Sequence, residues 1–131
     1  MKTISRQVVT DKAPSAIGPY SQAMGLGNLL FCSGQIPLDP QTGQIVGTTI
    51  EEQTEQVMKN VLGLLASQGL GPENILKTTV FLKNMGEFPK FNEVYQKHLK
   101  QPYPARSTVE VARLPKDVMV EVETIAYVPQ A

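Results

Sequence analysis

Pro104-Ala105-Arg106-Ser107-Thr108-Val109-Glu110-Val111-Ala112-Arg113-Leu114-Pro115-Lys116-Asp117, running on into Val118-Met119-Val120-Glu121-Val122-Glu123-Thr124-Ile125-Ala126, is the most informative stretch of the chain. Two β-prone arms flank a Pro- and Asp-containing link, a pattern that predicts an antiparallel hairpin. Side chains alternate along a strand, so Arg106, Thr108 and Glu110 share one face of the first arm, and Glu121 and Glu123 share one face of the second. With Arg113 taken as the partner of Val118, Thr108 falls opposite Glu123 and Arg106 lies one diagonal step away. A cation, a hydroxyl and a carboxylate then converge on one outward face. Val109, Val111, Val118, Val120 and Val122 form the expected core side. A slip of one residue would undo this convergence, because register decides the face.

Outward from this stretch, the totals narrow the field. A chain of 131 residues is one domain's worth, 1–131, with enough length for a real core. Twelve basic and twelve acidic residues cancel, so no broad field favours nucleic acid or anionic lipid. Cys32 is the single cysteine, which leaves no intrachain disulfide and fits a reducing compartment. No apolar run approaches the roughly 18 residues of a membrane span, and the first residues lack the apolar centre of a signal peptide. The expectation is a soluble, cytoplasmic protein with no membrane partner.

Residues 2–9 read as a strand, and Asp11 to Ala23 as a loop held extended by Pro14, Gly18 and Pro19, with Tyr20 as the side chain it presents. Asn28 to Pro37 reads as an apolar strand that breaks off at Ser33-Gly34. There glycine lets the backbone approach a ligand, and the serine hydroxyl stands free. Cys32 points to the other face as an apolar filler. A turn at Asp39-Pro40-Gln41-Thr42-Gly43 precedes a helix opened by a Thr49/Glu52 capping box, carried by Val57, Met58, Val61, Leu62 and Leu65, and stopped by Gly69. Ile75 to Lys83 is a strand with Leu76, Val80 and Leu82 on one side and Lys77, Thr79 and Lys83 on the other. A second helix follows, with Pro89 in its first turn and Phe91, Tyr95 and Leu99 on its apolar stripe. Its polar residues include Asn92 and His98, and a lone histidine without companion ligands reads as a surface residue. No zinc spacing, phosphate-binding glycine loop or repeat is present, so no metal and no cofactor are expected.

The order β-β-α-β-α-β-β predicts an α+β fold, a single mixed sheet with two helices packed on one face. Met119, Ile125 and Tyr127 share the uncovered side with Glu121 and Glu123, a mixture that marks an oligomer contact.

Three segments carry a family resemblance. Pro104-Ala105-Arg106-Ser107 through Val109-Glu110-Val111-Ala112-Arg113-Leu114-Pro115-Lys116-Asp117 resembles the C-terminal signature of the RidA/YjgF family of enamine and imine deaminases. Ile17-Gly18-Pro19-Tyr20 and Ser33-Gly34-Gln35-Ile36-Pro37 resemble two further signatures of that family. The resemblance implies a chorismate-mutase-like homotrimer with ligand pockets between subunits and a small imine, enamine or 2-keto acid as partner. It also implies cofactor-free hydrolysis of 2-aminoacrylate or 2-iminopropanoate to a 2-keto acid and ammonia. Carried over residue by residue, Arg106 anchors the substrate carboxylate, Glu123 orients water with Glu121 as its competitor, and Tyr20, Ser33, Gly34, Asn92 and Thr108 line the site. Thr108 departs from the pattern, since many relatives carry Cys there. A threonine hydroxyl excludes a thiolate mechanism but keeps hydrogen bonding. A different class of reading makes the same cleft a 2-keto acid sensor without turnover. A third, a nuclease or translation inhibitor, is disfavoured by the neutral charge.

Overall fold

The structure, a computed structural model, describes residues 5–129. Its elements are β1 (Arg6–Val8), β2 (Ala23–Leu26), β3 (Leu29–Gln35), α1 (Ile50–Ala66), β4 (Ile75–Leu82), α2 (Phe88–Lys97), β5 (Ala105–Glu110) and β6 (Val120–Tyr127). One mixed six-stranded sheet runs in the order β1-β2-β3-β6-β4-β5, and both helices pack on one of its faces, as expected. The strand expected over 2–9 is present as Arg6–Val8, with residues 2–4 outside the described part.

α1 starts where the sequence says it should. Thr49 Oγ1 accepts from Glu52 N, and Glu52 Oε1 accepts from Thr49 N in return, so two of the backbone donors that a helix start leaves over are satisfied. The apolar stripe of α1, Val57, Met58, Val61, Leu64 and Leu65, is buried against the sheet together with Leu30, Val80, Leu82, Val120 and Val122. Each such side chain withdrawn from water contributes about 1.5–3 kcal/mol before conformational entropy is set against it. Phe91 and Tyr95 of α2 complete this core and stack with ring centroids 5.1 Å apart.

Three expectations are corrected. β2 starts at Ala23, the last residue of what was read as a loop, and continues through residues that were given no element. Gly27, at φ 60°, and Asn28 form a two-residue link between Leu26 and Leu29, which pair with each other. The expected 104–126 hairpin does not form, because β4 lies between β5 and β6. β5 follows β4 through α2 and pairs with it in parallel (Thr78 with Arg106, Val80 with Thr108), while β6 runs antiparallel to both β3 and β4. The Arg113-to-Val118 segment is a connection with a short 3₁₀ turn, closed by Arg113 Nε donating to Asp117 Oδ1 at 2.8 Å. Consequently Val118, Val120 and Val122 are core, whereas Val109 is exposed on the uncovered face and Val111 is half-buried. Lastly, a bulge between Ile75 and Lys77 shifts the alternation of β4, so Ile75 is buried and Leu76 exposed.

Candidate active site

Alternation places the two halves of the expected cluster on opposite faces of the sheet. Glu123 sits between buried Val122 and Thr124 and pairs with Thr79, so it projects from the uncovered face. Arg106 pairs with Thr78, which is fully buried under α2, and reaches the helix side. Thr108 shares that side. It is half-buried, and its Oγ1 has no hydrogen-bond partner among the described residues. Within one chain, therefore, Arg106 and Thr108 do not converge with Glu123. The expectation failed because it assumed β5 and β6 to be partners.

Glu123 and Arg106 line separate cavities. The larger, about 520 Å³, is walled by the loop that carries Pro14, Ile17 and Tyr20, floored by Ser33 and Gly34, and closed by Glu121 and Glu123. The loop owes its path to Gln22, a buried amide. Gln22 Oε1 accepts from Thr10 N at 2.8 Å, and Nε2 donates to Thr10 O, Ala13 O and Pro14 O at 3.0, 3.2 and 2.8 Å. Tyr20 is about half exposed at the rim, where its hydroxyl accepts from Ile17 N at 3.2 Å.

The floor is a register shift in the β3–β6 ladder between Cys32 and Gln35, which lifts Ser33 and Gly34 out of regular pairing. Ser33 does not hold a free donor, contrary to expectation. Its hydroxyl donates to Ser21 O at 2.6 Å and its N–H to Gln22 O at 3.0 Å, leaving only the acceptor lone pairs of Oγ for a ligand. Gly34 makes room for a neighbour, since a Cβ there would overlap Glu121 Oε2. Cys32 is buried, which pushes its thiol up to about 12 and suits a packing role.

Glu121 is the electrostatically distinctive group. Burial raises its pKa above the ordinary carboxylate value, and the charge of Glu123 raises it further. Lys116 stands at the lip in a left-handed conformation, followed by Asp117 in the same conformation. Lys116, Gln22 and Ile17 were not among the residues expected at the site. The Pro-rich wording of both loops was the available signal.

The second cavity, about 450 Å³, is lined by Asn92, Tyr95, Gln96, Tyr103, Pro104 and Arg106. Arg106 Nη1 donates to Asn92 Oδ1 at 2.8 Å, and the guanidinium carbon lies 5.1 Å from the ring centroids of both Phe88 and Tyr95. Asn92 and Arg106, both expected at the site, are thus in direct contact. His98, read as a surface residue, is instead largely covered and pairs with Glu55 Oε1 of α1 at 2.9 Å. Among the described residues no three His, Cys, Asp or Glu side chains cluster in a way that could hold a metal ion. No helix among them is long and apolar enough to cross a membrane.

Comparison with known proteins returns a consistent picture. A family model described as endoribonuclease L-PSP matches residues 10–128. A RutC family protein of Pyrococcus horikoshii is 51% identical over 92% of this chain and 95% of its own. The chloroplastic Reactive Intermediate Deaminase A of Arabidopsis thaliana is 45% identical over 95% of this chain and 67% of its own. Among solved structures, RidA from a Psychrobacter species superposes with a TM-score of 0.90 at 40% identity, covering 94% of this chain and 99% of that one. TdcF of E. coli, solved with bound serine, superposes with a TM-score of 0.88 at 43% identity, covering 95% and 99%.

Proposed function

The chain belongs to the RidA/YjgF (Rid) family, and from that membership we propose that it hydrolyses small 2-imino or 2-enamino acids to 2-keto acids and ammonia. The observation that carries the reading is Arg106, a planar cation that lines a cavity and donates one N–H to Asn92 Oδ1. Such a group matches a carboxylate with two parallel hydrogen bonds, which a lysine does not reproduce. Serine, bound in the TdcF structure, is a small carboxylate of the same class.

The chemistry asks for little beyond position. Water adds to the imine carbon as one of its protons passes to the nitrogen, giving a carbinolamine; the remaining hydroxyl proton then passes to that nitrogen as the C–N bond breaks, releasing ammonia and the 2-keto acid. A carboxyl group whose pKa is raised above the ordinary carboxylate value is a better proton acceptor and can return the proton, and burial beside Glu123 gives Glu121 that environment. Glu123, chosen from the sequence for water orientation, lines the same cavity and its charge tunes Glu121. Ser33 Oγ offers an acceptor to the substrate N–H, Tyr20 screens the mouth, and Thr108 supplies a hydroxyl on the arginine side. Because Arg106 and Glu121 occupy opposite faces of one sheet, a three-carbon substrate touches both only if two copies of the chain meet. We therefore assign the site to the cleft between copies of a homotrimer, packed through the uncovered sheet face. The lone buried thiol fits a cytoplasmic setting.

The test is the decay of 2-iminopropanoate, generated by an amino-acid oxidase acting on alanine and followed by stopped flow. Wild type should accelerate the decay, and Arg106→Ala should lose about 10–100-fold in kcat/KM with its circular dichroism unchanged. Undiminished turnover in that variant overturns the anchor. Saturable pyruvate binding without any acceleration points instead to the second reading, a carboxylate-binding regulatory protein. Binding of single-stranded RNA that weakens steeply with salt would revive the nuclease reading.

A further inference from the structure

Arg106 stands on β5, the edge strand, where a long flexible side chain in water ordinarily samples many rotamers. Here α2 restricts it. Steps of four and three residues bring Phe88, Asn92 and Tyr95 onto one stripe of that helix. The two rings lie under the guanidinium at 5.1 Å, and Asn92 Oδ1 takes one N–H. Tyr95 is itself held from below: its hydroxyl meets Thr78 Oγ1 at 2.6 Å, and Thr78 is fully buried. Thr78 is also the cross-strand partner of Arg106. A closed circuit results, from Arg106 through the β4–β5 ladder to Thr78, through the phenol of Tyr95, and back to the guanidinium. A buried polar pair spanning helix and sheet needs a reason, because two apolar side chains of the same shape would pack there nearly as well.

We propose that Tyr95, fixed by Thr78, is the positioning residue that sets the plane of the Arg106 guanidinium before the substrate carboxylate arrives. This rests on the reading of Arg106 as the carboxylate anchor. Holding the ring in one orientation removes rotamers that Arg106 would otherwise lose on binding, so the effect belongs to affinity and not to the bond-making step. Tyr95 touches neither water nor imine in this scheme.

The variants are Tyr95→Phe, which keeps the ring and its volume, Thr78→Val, which keeps the shape, and the two combined. Three quantities are read: the NMR order of the Arg106 Nε–H in the unliganded protein, identified by its loss in Arg106→Ala; the affinity for pyruvate by titration calorimetry; and KM against kcat on 2-iminopropanoate. Each single variant should turn a rigid Nε–H into a mobile one, weaken pyruvate about tenfold, and raise KM while leaving kcat within about twofold. The double variant should be no worse than either single in affinity, because the pair acts as a unit, yet it should regain thermal stability once neither partner is left unsatisfied. Loss of affinity that persists while stability returns separates positioning from mere support of the fold. An Nε–H in Tyr95→Phe as ordered as in wild type, or wild-type pyruvate affinity in that variant, overturns the proposal. Should Arg106→Ala bind pyruvate as well as wild type, the anchor reading falls, and the Nε–H order still decides whether Tyr95 holds the arginine.

Discussion

Glu121 and Gly34 are the informative pair of the candidate site at the level of single residues. Gly34 has an ordinary backbone conformation, so alanine there brings no backbone strain, only a methyl group where Glu121 Oε2 now lies. Displacing that carboxylate toward solvent is a modest change in packing, and Gly34→Ala should cost about 1 kcal/mol of stability. Its effect on kcat should be far larger than on KM, measured under the stopped-flow assay. The titration of Glu121 gives a second expectation with a definite sign. Its folded pKa lies above the ordinary value of 4.5, so in the window between the two the folded state binds more protons than the unfolded state. Stability therefore falls as pH rises through that window. Glu121→Gln removes this dependence, and its urea midpoint relative to wild type should shift in the variant's favour as pH climbs out of the acid range. The acid limb of kcat/KM for wild type should likewise lie above the usual carboxylate range. A limb at an ordinary carboxylate value would remove Glu121 from the proton path.

Among the elements, α1 was the most legible. The Thr49/Glu52 pair, the apolar spacing and Gly69 all act locally, and a local cause can be read from a linear string. Thr49→Ala should lower stability by about 1 kcal/mol in urea denaturation, with an unchanged m-value. Glu52, its carboxylate held below the usual range by the backbone N–H groups of Thr48 and Thr49, contributes stability that is present above its unfolded pKa and lost as pH falls through the folded one. Strand pairing was less legible, for a physical reason. β5 and β6 are neighbours in sequence and both rich in valine, which favours a hairpin. What decides the outcome is the crossover through α2, which returns β5 beside β4 and leaves the slot between β3 and β4 for β6. β2 escaped notice because Ala23 and Gly25 are small and Met24 and Leu26 point outward, although Gly27-Asn28 was a hairpin signal. The candidate-site residues Arg106, Asn92, Tyr20, Ser33 and Gly34 were named from the sequence through the family's wording. That Arg106 and Glu123 face away from each other could be seen only once the strand order was known.

The molecule as a whole leaves one side of its sheet uncovered, with Met24, Leu26, Phe31, Val109 and Tyr127 exposed on it and Ile125 half-buried. Phe31 pairs with Ile125 near the middle of this surface, so a charge there meets whatever covers the face. Phe31→Glu should give folded monomers in sedimentation velocity, where the wild type should give trimers, and should abolish turnover without touching a residue of the candidate site. A wild-type protein that sediments as a monomer while turning over imine would contradict the shared cleft. The opposed placement of Arg106 and Glu121 has a genetic counterpart. Two impaired proteins, Arg106→Ala and Glu121→Gln, would each keep the half that the other lacks, so unfolding and refolding them together should reconstitute working clefts wherever one borders the other in the right order. Equal mixing should recover about a quarter of the wild-type rate. Two alleles that are each impaired alone would then sustain one another within a single cell.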